Sequence, residues 1–251
     1  MPRQARKKSK TGIYHVMLKG IDDRDIFLEN FDRSKFIEQV IKAKEKAKFV
    51  FLAYCLMDNH AHLVIEEKNE EIGKSIKRIT VGYVIWHNNK YGRTGHLFQN
   101  RFNSEVIETD NYLLTAVRYI HHNPVKAGIA KLPGDYEWSS YLQYLASYNN
   151  CCSNIDAQRI KGYLKTKGSF EEFMRISNDD NCLEYEQPKK YTDEAIRKII
   201  LREFDIGSIE TMPAQERNRI IKDIYRETGV SIRQLGRVLG LGQGIIQRGV
   251  K

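Results

Sequence analysis

The amino-acid sequence predicts an α+β fold: an antiparallel sheet of ferredoxin-like character with helices on one face, followed by a small all-α C-terminal domain. Three observations carry that reading. Apolar periodicity alternates between strand and helix spacing in the order strand, helix, hairpin, helix, strand, helix before Pro124. Asp58-Asn59 is a two-residue turn signal between two β-rich runs. From Tyr191 onward the pattern is helical throughout.

Ile13 to Lys19 is rich in branched and aromatic residues and is closed by Gly20 and a cluster of aspartates, which predicts the first strand. Phe31 to Lys48 places Phe36, Ile37, Val40, Ile41 and Ala47 at helical spacing among lysines and glutamates, the pattern of a helix lying on a sheet. Phe49 to Met57 and His60 to Glu66 supply the hairpin strands. Glu70 to Asn89 is helical by period, with Ile72, Ile76, Ile79, Val84 and Ile85 on its apolar face. Phe102 to Ile107 reads as a further strand, and Asp110 is placed to cap a helix that runs through Tyr119 until Pro124 stops it. Beyond Tyr148 the signals weaken: Asn149, Asn150, Ser153 and Asn154 predict a loop, Phe170 to Ile176 a short helix, and Asn178 to Asn181 another break. The expected organisation is a basic arm over residues 1–11, a main domain over 12–147, a linker with a short helix over 148–190, and a helical domain over 191–251.

A chain of 251 residues with 41% hydrophobic content can bury a sizeable core in one main domain and a smaller one. Lysine and arginine total 41 against 32 acidic residues, a net charge of +9, which calls for an anionic partner. No apolar run approaches the roughly 20 residues needed to span a bilayer, and the leader with Pro2, Arg3, Arg6, Lys7, Lys8 and Lys10 has no apolar stretch behind it. Nucleic acid is therefore favoured over a membrane surface, and the expected location is cytoplasmic. Cys55, Cys151, Cys152 and Cys182 match neither a zinc-ligand spacing nor a disulfide framework and read as ordinary thiols.

His60-Ala61-His62 sets two imidazoles two residues apart on a predicted strand, so both project from one face and can reach one metal ion. Neutral imidazole ligates zinc, manganese or iron readily and magnesium less commonly. Taken alone, the pair also fits the polar face of a hairpin. In Arg118-Tyr119-Ile120-His121-His122-Asn123-Pro124-Val125, Tyr119 and Asn123 lie four positions apart on one helix face, although Pro124 biases Asn123 away from helical geometry. Because the chain has 14 tyrosines, spacing alone does not select Tyr119.

The combination does. Met57-Asp58-Asn59-His60-Ala61-His62-Leu63-Val64, then Gly95-His96-Leu97-Phe98-Gln99-Asn100-Arg101-Phe102, then Tyr119-Ile120-His121-His122-Asn123-Pro124-Val125-Lys126-Ala127-Gly128 resembles, in order and separation, the REP-associated tyrosine transposases and their IS200-like relatives among the single-tyrosine HUH transposases. The resemblance covers roughly Gly12 to Tyr144. It implies the HUH nuclease fold and a domain that binds a hairpin in single-stranded DNA and cuts beside it. By motif position Tyr119 falls on the nucleophile, and His60, His62 and Asn123 on the ligands of a divalent ion, magnesium or manganese. His121 and His122 stand as alternatives to Asn123. The implied product is a 5′-phosphotyrosine and a free 3′-hydroxyl, and relatives include both monomers and homodimers. The chain departs from the family pattern at Asp58, where proline is frequent, and at Lys19-Gly20-Ile21, where Arg-Gly-Asn is frequent. A changed first loop bears on which DNA is recognised rather than on the cutting apparatus.

Arg101 and Phe102 can supply a phosphate contact and a stacking face for an unpaired base, and Lys126 is a further DNA-contact candidate at the end of the tyrosine helix. Ser231 to Arg248 reads as a helix-turn-helix. Ser231 caps the first helix, Gly240 to Gly242 make the turn, and Leu235, Val238, Leu241, Ile245 and Ile246 share a core. Gln243, Gln247 and Arg248 are then free to reach base edges or phosphates, including those of duplex flanks. Two other classes fit the same residues: a DNA-binding regulator that no longer cuts, and a metal-dependent hydrolase in which Tyr119 is structural.

Overall fold

The computed structural model describes residues 6–99, 101–151, 153–176, 182, 192–201, 206–209, 211–228 and 230–250. Pro2, Arg3, Asn100, Cys152, the Asn178–Asn181 break, Lys190 and Tyr191 lie outside the described residues. Among those described, strands β1 (Ile13–Lys19), β2 (Val50–Met57), β3 (His60–Glu66) and β4 (Asn103–Ile107) pair antiparallel in the order β2-β3-β1-β4. With α1 (Asn30–Ala47) between β1 and β2 and α2 (Ile72–Tyr91) between β3 and β4, this is the ferredoxin-like arrangement. β1 and β3 occupy the residues that their composition predicts, and the chain reverses between β2 and β3 at Asp58-Asn59.

The helices divide between the two faces of the sheet, which corrects the expectation of a single covered face. The physical reason lies in β1 and β2. All of β1 except Lys19 and all of β2 except Val50 is buried, so neither face can be left to water. α1 and α2 pack together, the Phe36 and Tyr83 rings 5.3 Å apart, and Val84 of α2 shares a cleft with Leu18 of β1. α3 (Asp110–Lys126) covers the opposite face, where Tyr119 meets His62.

Both ends of α3 differ from the expected ones. Thr109, not Asp110, is the N-cap; its side chain accepts from the Tyr112 amide at 3.2 Å. Pro124 does not stop the helix, which continues to Lys126 and closes with the Ala127 amide on the Asn123 carbonyl at 2.9 Å and Gly128 at φ 70°. A proline this near the end removes one hydrogen bond from a turn that is already opening, so the helix outlasts it. Asn123 is consequently helical, one turn beyond Tyr119.

Residues 148–176, expected as linker, build part of the first core instead. α4 (Tyr141–Tyr148), α5 (Gln158–Tyr163) and α6 (Lys167–Arg175) bury Tyr144, Ile160, Phe170 and Met174 in one cluster with the sheet. These helices span six to nine residues, too few turns for a sustained apolar period. The chain divides into two compact units, Met1–Tyr185 and Glu186–Lys251.

The second unit holds α7 (Asp193–Ile200), α8 (Ile206–Ile209), α9 (Ala214–Thr228), α10 (Ile232–Leu239) and α11 (Gln243–Val250). Ile196, Ile221, Leu235, Val238, Leu241 and Ile246 are buried in its own core. Ser231 caps α10, accepting from the Gln234 amide at 3.1 Å, and Gly240 ends it at φ 68°. A Cβ on Gly236 would stand 2.9 Å from the Leu241 carbonyl, so the tight return between α10 and α11 depends on the missing side chain. Cys55, Cys151 and Cys182 are free thiols, and no helix among the described residues is long and apolar enough to cross a membrane.

One buried carboxylate fastens α1 to α2. Asp32, fully buried, accepts from the Leu28 and Glu29 amides at 2.7 and 3.1 Å, from Lys90 Nζ at 2.6 Å and from the Tyr91 hydroxyl at 2.8 Å. Burial by itself raises the pKa of this carboxyl, but the hydrogen bonds from Lys90, Tyr91 and the two amides outweigh it and hold the group below its usual range. A depressed carboxyl stabilises the fold above its unfolded pKa of about 4, and that contribution is lost as pH falls through the folded value. Asp32→Ala is expected to cost roughly 2 kcal/mol at pH 7 in urea unfolding, with the difference from wild type shrinking under acid. An equal loss at all pH values would contradict the charged role.

Candidate active site

Directly opposed residues of antiparallel strands project from the same face, so the pairing register decides what stands beside the histidine pair. His62 is opposite Met17 of β1 and Cys55 of β2; His60 is opposite Lys19 and Met57; and His15 follows two residues before Met17 on the same face. The His60 and His62 rings lie 5.1 Å apart, nearly perpendicular. Half-buried His60 places Nδ1 2.6 Å from the Asn59 side-chain oxygen. His62, 1% exposed, places Nδ1 2.9 Å from Nε2 of the fully buried His15.

Burial pulls the His60 pKa down to about 4, with the Lys19 charge adding to the effect. It takes His62 well below the usual value, helped by the charges of His15 and His60, and His15 to about 3. All three rings are neutral at pH 7. His60 and His62 are both held through Nδ1, which directs Nε2 to any ligand, and two neutral, pre-oriented imidazoles are a donor set that fits a divalent ion. Among the described residues no three His, Cys, Asp or Glu side chains are grouped to hold a metal, so a further protein ligand here would be of another type.

α3 brings that type of residue. The Tyr119 ring, 1% exposed, lies 6.1 Å from His62 at 83° and 6.1 Å from His15 at 66°. Asn123 donates from Nδ2 to the Tyr119 carbonyl at 3.1 Å, which leaves its amide oxygen as an acceptor. Lys126, exposed on the last turn, sets Nζ 4.6 Å from the Tyr119 ring centroid. The two neighbouring histidines are engaged elsewhere. His121 is buried against Tyr141 and Tyr144 with Nε2 2.8 Å from the Ser140 hydroxyl, and burial draws its pKa to about 3. His122 donates from Nε2 to the Met174 carbonyl at 2.7 Å.

The other candidates stand apart from this centre. Exposed Arg101 and half-buried Phe102 precede β4 and line a cleft with Leu18, which points to the opposite face of the sheet from Met17 and His62. Gln243, Gln247 and Arg248 are exposed on α11 in the second unit. In the altered first loop Lys19 pairs with Asp23, and a Cβ on Gly20 would fall 2.0 Å from the Arg24 carbonyl, so that position admits only glycine without the loop moving.

His15 is the residue that sequence reasoning passes over. Inside Ile13–Lys19 it reads as one more strand position. Its place two residues before Met17 was a usable signal, but only the β1–β3 register identifies Met17 as the partner of His62.

Fold and site together define a ferredoxin-like domain whose sheet presents a histidine pair to a tyrosine-bearing helix. Residues 8–123 match the family model described as "Transposase IS200 like". A Haemophilus influenzae protein described as a REP-associated tyrosine transposase is 24% identical over 153 residues, 56% of this chain and 86% of that protein. A solved structure of a REP-associated tyrosine transposase bound to a REP hairpin superposes with a TM-score of 0.51 at 22% identity, covering 58% of this chain and 86% of that one. At that identity the likeness speaks for the fold.

Proposed function

We propose that this chain is a divalent-metal-dependent single-stranded DNA endonuclease and strand transferase that cuts beside DNA hairpins through Tyr119. The carrying observation is the Tyr119 ring set edge-on to His62, with His60 beside it and Asn123 one turn further along α3. A nucleophile and a neutral donor set thus share one face of the sheet. The hairpin as substrate is drawn from the solved relative, which is bound to one. A net charge of +9 suits a polyanionic partner.

In the proposed reaction the Tyr119 oxygen forms a bond to phosphorus as the bond from phosphorus to the 3′ oxygen breaks. The phenolic proton passes to solvent, the departing 3′ oxygen takes one up, and the DNA 5′ end is left as a phosphotyrosine. A second 3′-hydroxyl attacking the same phosphorus reverses the step and releases the phenol, so joining needs no ATP. A free phenol ionises only near pH 10, roughly, so attack at neutral pH depends on stabilising the charge that develops. His60, His62 and Asn123 would hold magnesium or manganese, which would supply that stabilisation by drawing charge from the phosphate oxygens. Asn123 is preferred over His121 and His122 because the rings of those two are bonded to Ser140 and Met174.

His15 has a positioning part in this scheme. A ligating lone pair on His62 Nε2 requires the proton on Nδ1, and that N–H then donates to His15 Nε2. In the second unit, α10, the glycine turn and α11 form a helix-turn-helix whose Gln243, Gln247 and Arg248 meet duplex flanks, and Lys126 contacts backbone phosphate near the cut. A second reading, a DNA-binding regulator that does not cut, draws on one observation: Tyr119 is 1% exposed and must be uncovered before it can attack.

Incubating the protein with hairpin-bearing single-stranded DNA and magnesium or manganese is expected to give a protein-linked DNA band that Tyr119→Phe abolishes. Binding without cleavage supports the regulator; cleavage persisting in Tyr119→Phe supports a hydrolase. In a separate titration without DNA, His15→Phe is expected to weaken manganese binding about 10-fold or more, and His15→Gln, which keeps an acceptor, to recover most of it. Unchanged affinity in a folded His15→Phe protein would rule out the positioning role.

A further inference from the structure

Lys19 ends β1 on the face that carries the histidines. It stands directly opposite His60 in the β1–β3 register, and its side chain is only 12% exposed. The backbone around it is fixed. The Lys19 carbonyl accepts from the Gln99 amide at 2.7 Å, and the next amide, that of Gly20, donates to the Asn59 carbonyl at 2.8 Å. Asn59 in turn holds the His60 ring through Nδ1. Burial depresses the His60 pKa and the Lys19 charge adds to it, so the ammonium lies within electrostatic reach of that ring. A cation kept beside two neutral imidazoles opposes the binding of a metal ion there; what it favours is an anion lying over the pair.

In this structure Lys19 is paired with the carboxylate of Asp23, four residues on. The loop pays in backbone strain to bring that carboxylate there. Asp22 at φ 51° and Asp23 at φ 60° both lie in the left-handed region. Aspartate tolerates that conformation better than most residues, but two in succession without a glycine are costly, and such strain gathers at functional sites. The Asp23 side chain is 41% exposed, so the loop presents it at the surface, where an incoming phosphate can displace it from the ammonium.

Tyr119 meets the other end of the histidine row. Its ring lies against His62 and His15, while Lys19 stands beside His60. A phosphate lying over the His60–His62 pair therefore has the nucleophile towards His62 and the ammonium towards His60. In-line displacement puts the departing oxygen on the side away from the attacking one. We propose that Lys19 is a further catalytic residue, whose ammonium donates a hydrogen bond to the departing 3′ oxygen of the scissile phosphate, and that Asp23 holds its place until DNA arrives. Negative charge gathers on that oxygen as its bond to phosphorus breaks, and a positive group fixed in a nearly dry site stabilises it without having to reorganise. In the joining step the same contact receives the incoming 3′-hydroxyl. The inference rests on the DNA-cutting reading and adds the group that serves its leaving side.

The test follows formation of the Tyr119 adduct by the full chain in single turnover with manganese. Two hairpin-bearing single-stranded DNA probes differ only at the scissile linkage, which carries either the natural 3′ oxygen or a bridging 3′ sulfur. A thiolate is a far weaker base than an alkoxide and departs without a stabilising charge. Lys19→Met, which keeps the apolar stem, is expected to slow the oxygen probe about 100-fold and to leave the sulfur probe close to the wild-type rate, while Lys19→Arg retains most of the rate on both. Manganese affinity without DNA is expected to hold or rise in Lys19→Met, because a repelling charge has gone. Asp23→Asn, whose new side chain tolerates the left-handed backbone, is expected to lower the DNA concentration that gives half the maximal rate several-fold. Equal losses on the two probes, no loss on either, or weaker manganese binding in Lys19→Met would overturn the inference, as would a half-maximal concentration that does not fall in Asp23→Asn. Wild type that forms no adduct with either probe overturns the DNA-cutting reading itself.

Discussion

The register between β1 and β3 is the constraint on which the rest of the site depends. Side chains alternate along a strand, so setting His62 opposite Met17 puts His15, Lys19, His60 and His62 on a single face; a slip of one residue would send them to the other. The glycine at position 20, pressed against the Arg24 carbonyl, and the turn at Asp58-Asn59 meet at the Lys19–His60 end of that pairing, where the Gly20 amide donates to the Asn59 carbonyl. α3 can then bring a tyrosine to a prepared surface. Nothing in His60-Ala61-His62 by itself creates the site; its three imidazoles come from two strands.

That surface is dry, and dryness has two consequences. Neutral imidazoles with lone pairs follow from burial, because a positive charge on His15, His60 or His62 would be poorly solvated there. The same burial covers Tyr119. A phenol that must meet a phosphate cannot remain 1% exposed through the reaction, so the proposed chemistry requires α3 or its neighbours to yield when DNA arrives. Asn123, bonded back to the Tyr119 carbonyl, and Lys126, over its ring, lie on the same turns of α3 and move with it.

Much of this was legible in the sequence, for identifiable reasons. Strands β1 and β3 and the turn that precedes β3 announce themselves through local composition, and so do Ser231 and the glycine turn before α11. The positions that escaped depend on contacts distant in sequence or on cooperativity within a helix. His15 gains meaning only from its cross-strand neighbour. Pro124 signals a stop to any local rule, yet α3 outlasts it by two residues, and this is what keeps Asn123 in line with Tyr119. The short helix α5 carries too few apolar residues to register as periodic, and the short helix expected at Phe170 to Ile176 reads as part of a linker, but Ile160, Phe170 and Met174 close the first core. Burial on both faces of β1 and β2 was foreshadowed by the unbroken apolar run from Phe51 to Met57, which is incompatible with a sheet covered on one side.

The central claim, that Tyr119 is the atom-donating nucleophile of a DNA-joining reaction, is tested most directly by locating the covalent link. Arg118 and Lys126 bracket a tryptic peptide, Tyr119 to Lys126, that contains a single tyrosine. After reaction with hairpin-bearing single-stranded DNA, nuclease trimming and trypsin digestion, mass spectrometry should find that peptide carrying a nucleotide 5′-phosphate on Tyr119. A nucleotide carried by any of the other tyrosine peptides, or cut DNA with every tyrosine peptide unmodified, would contradict the account.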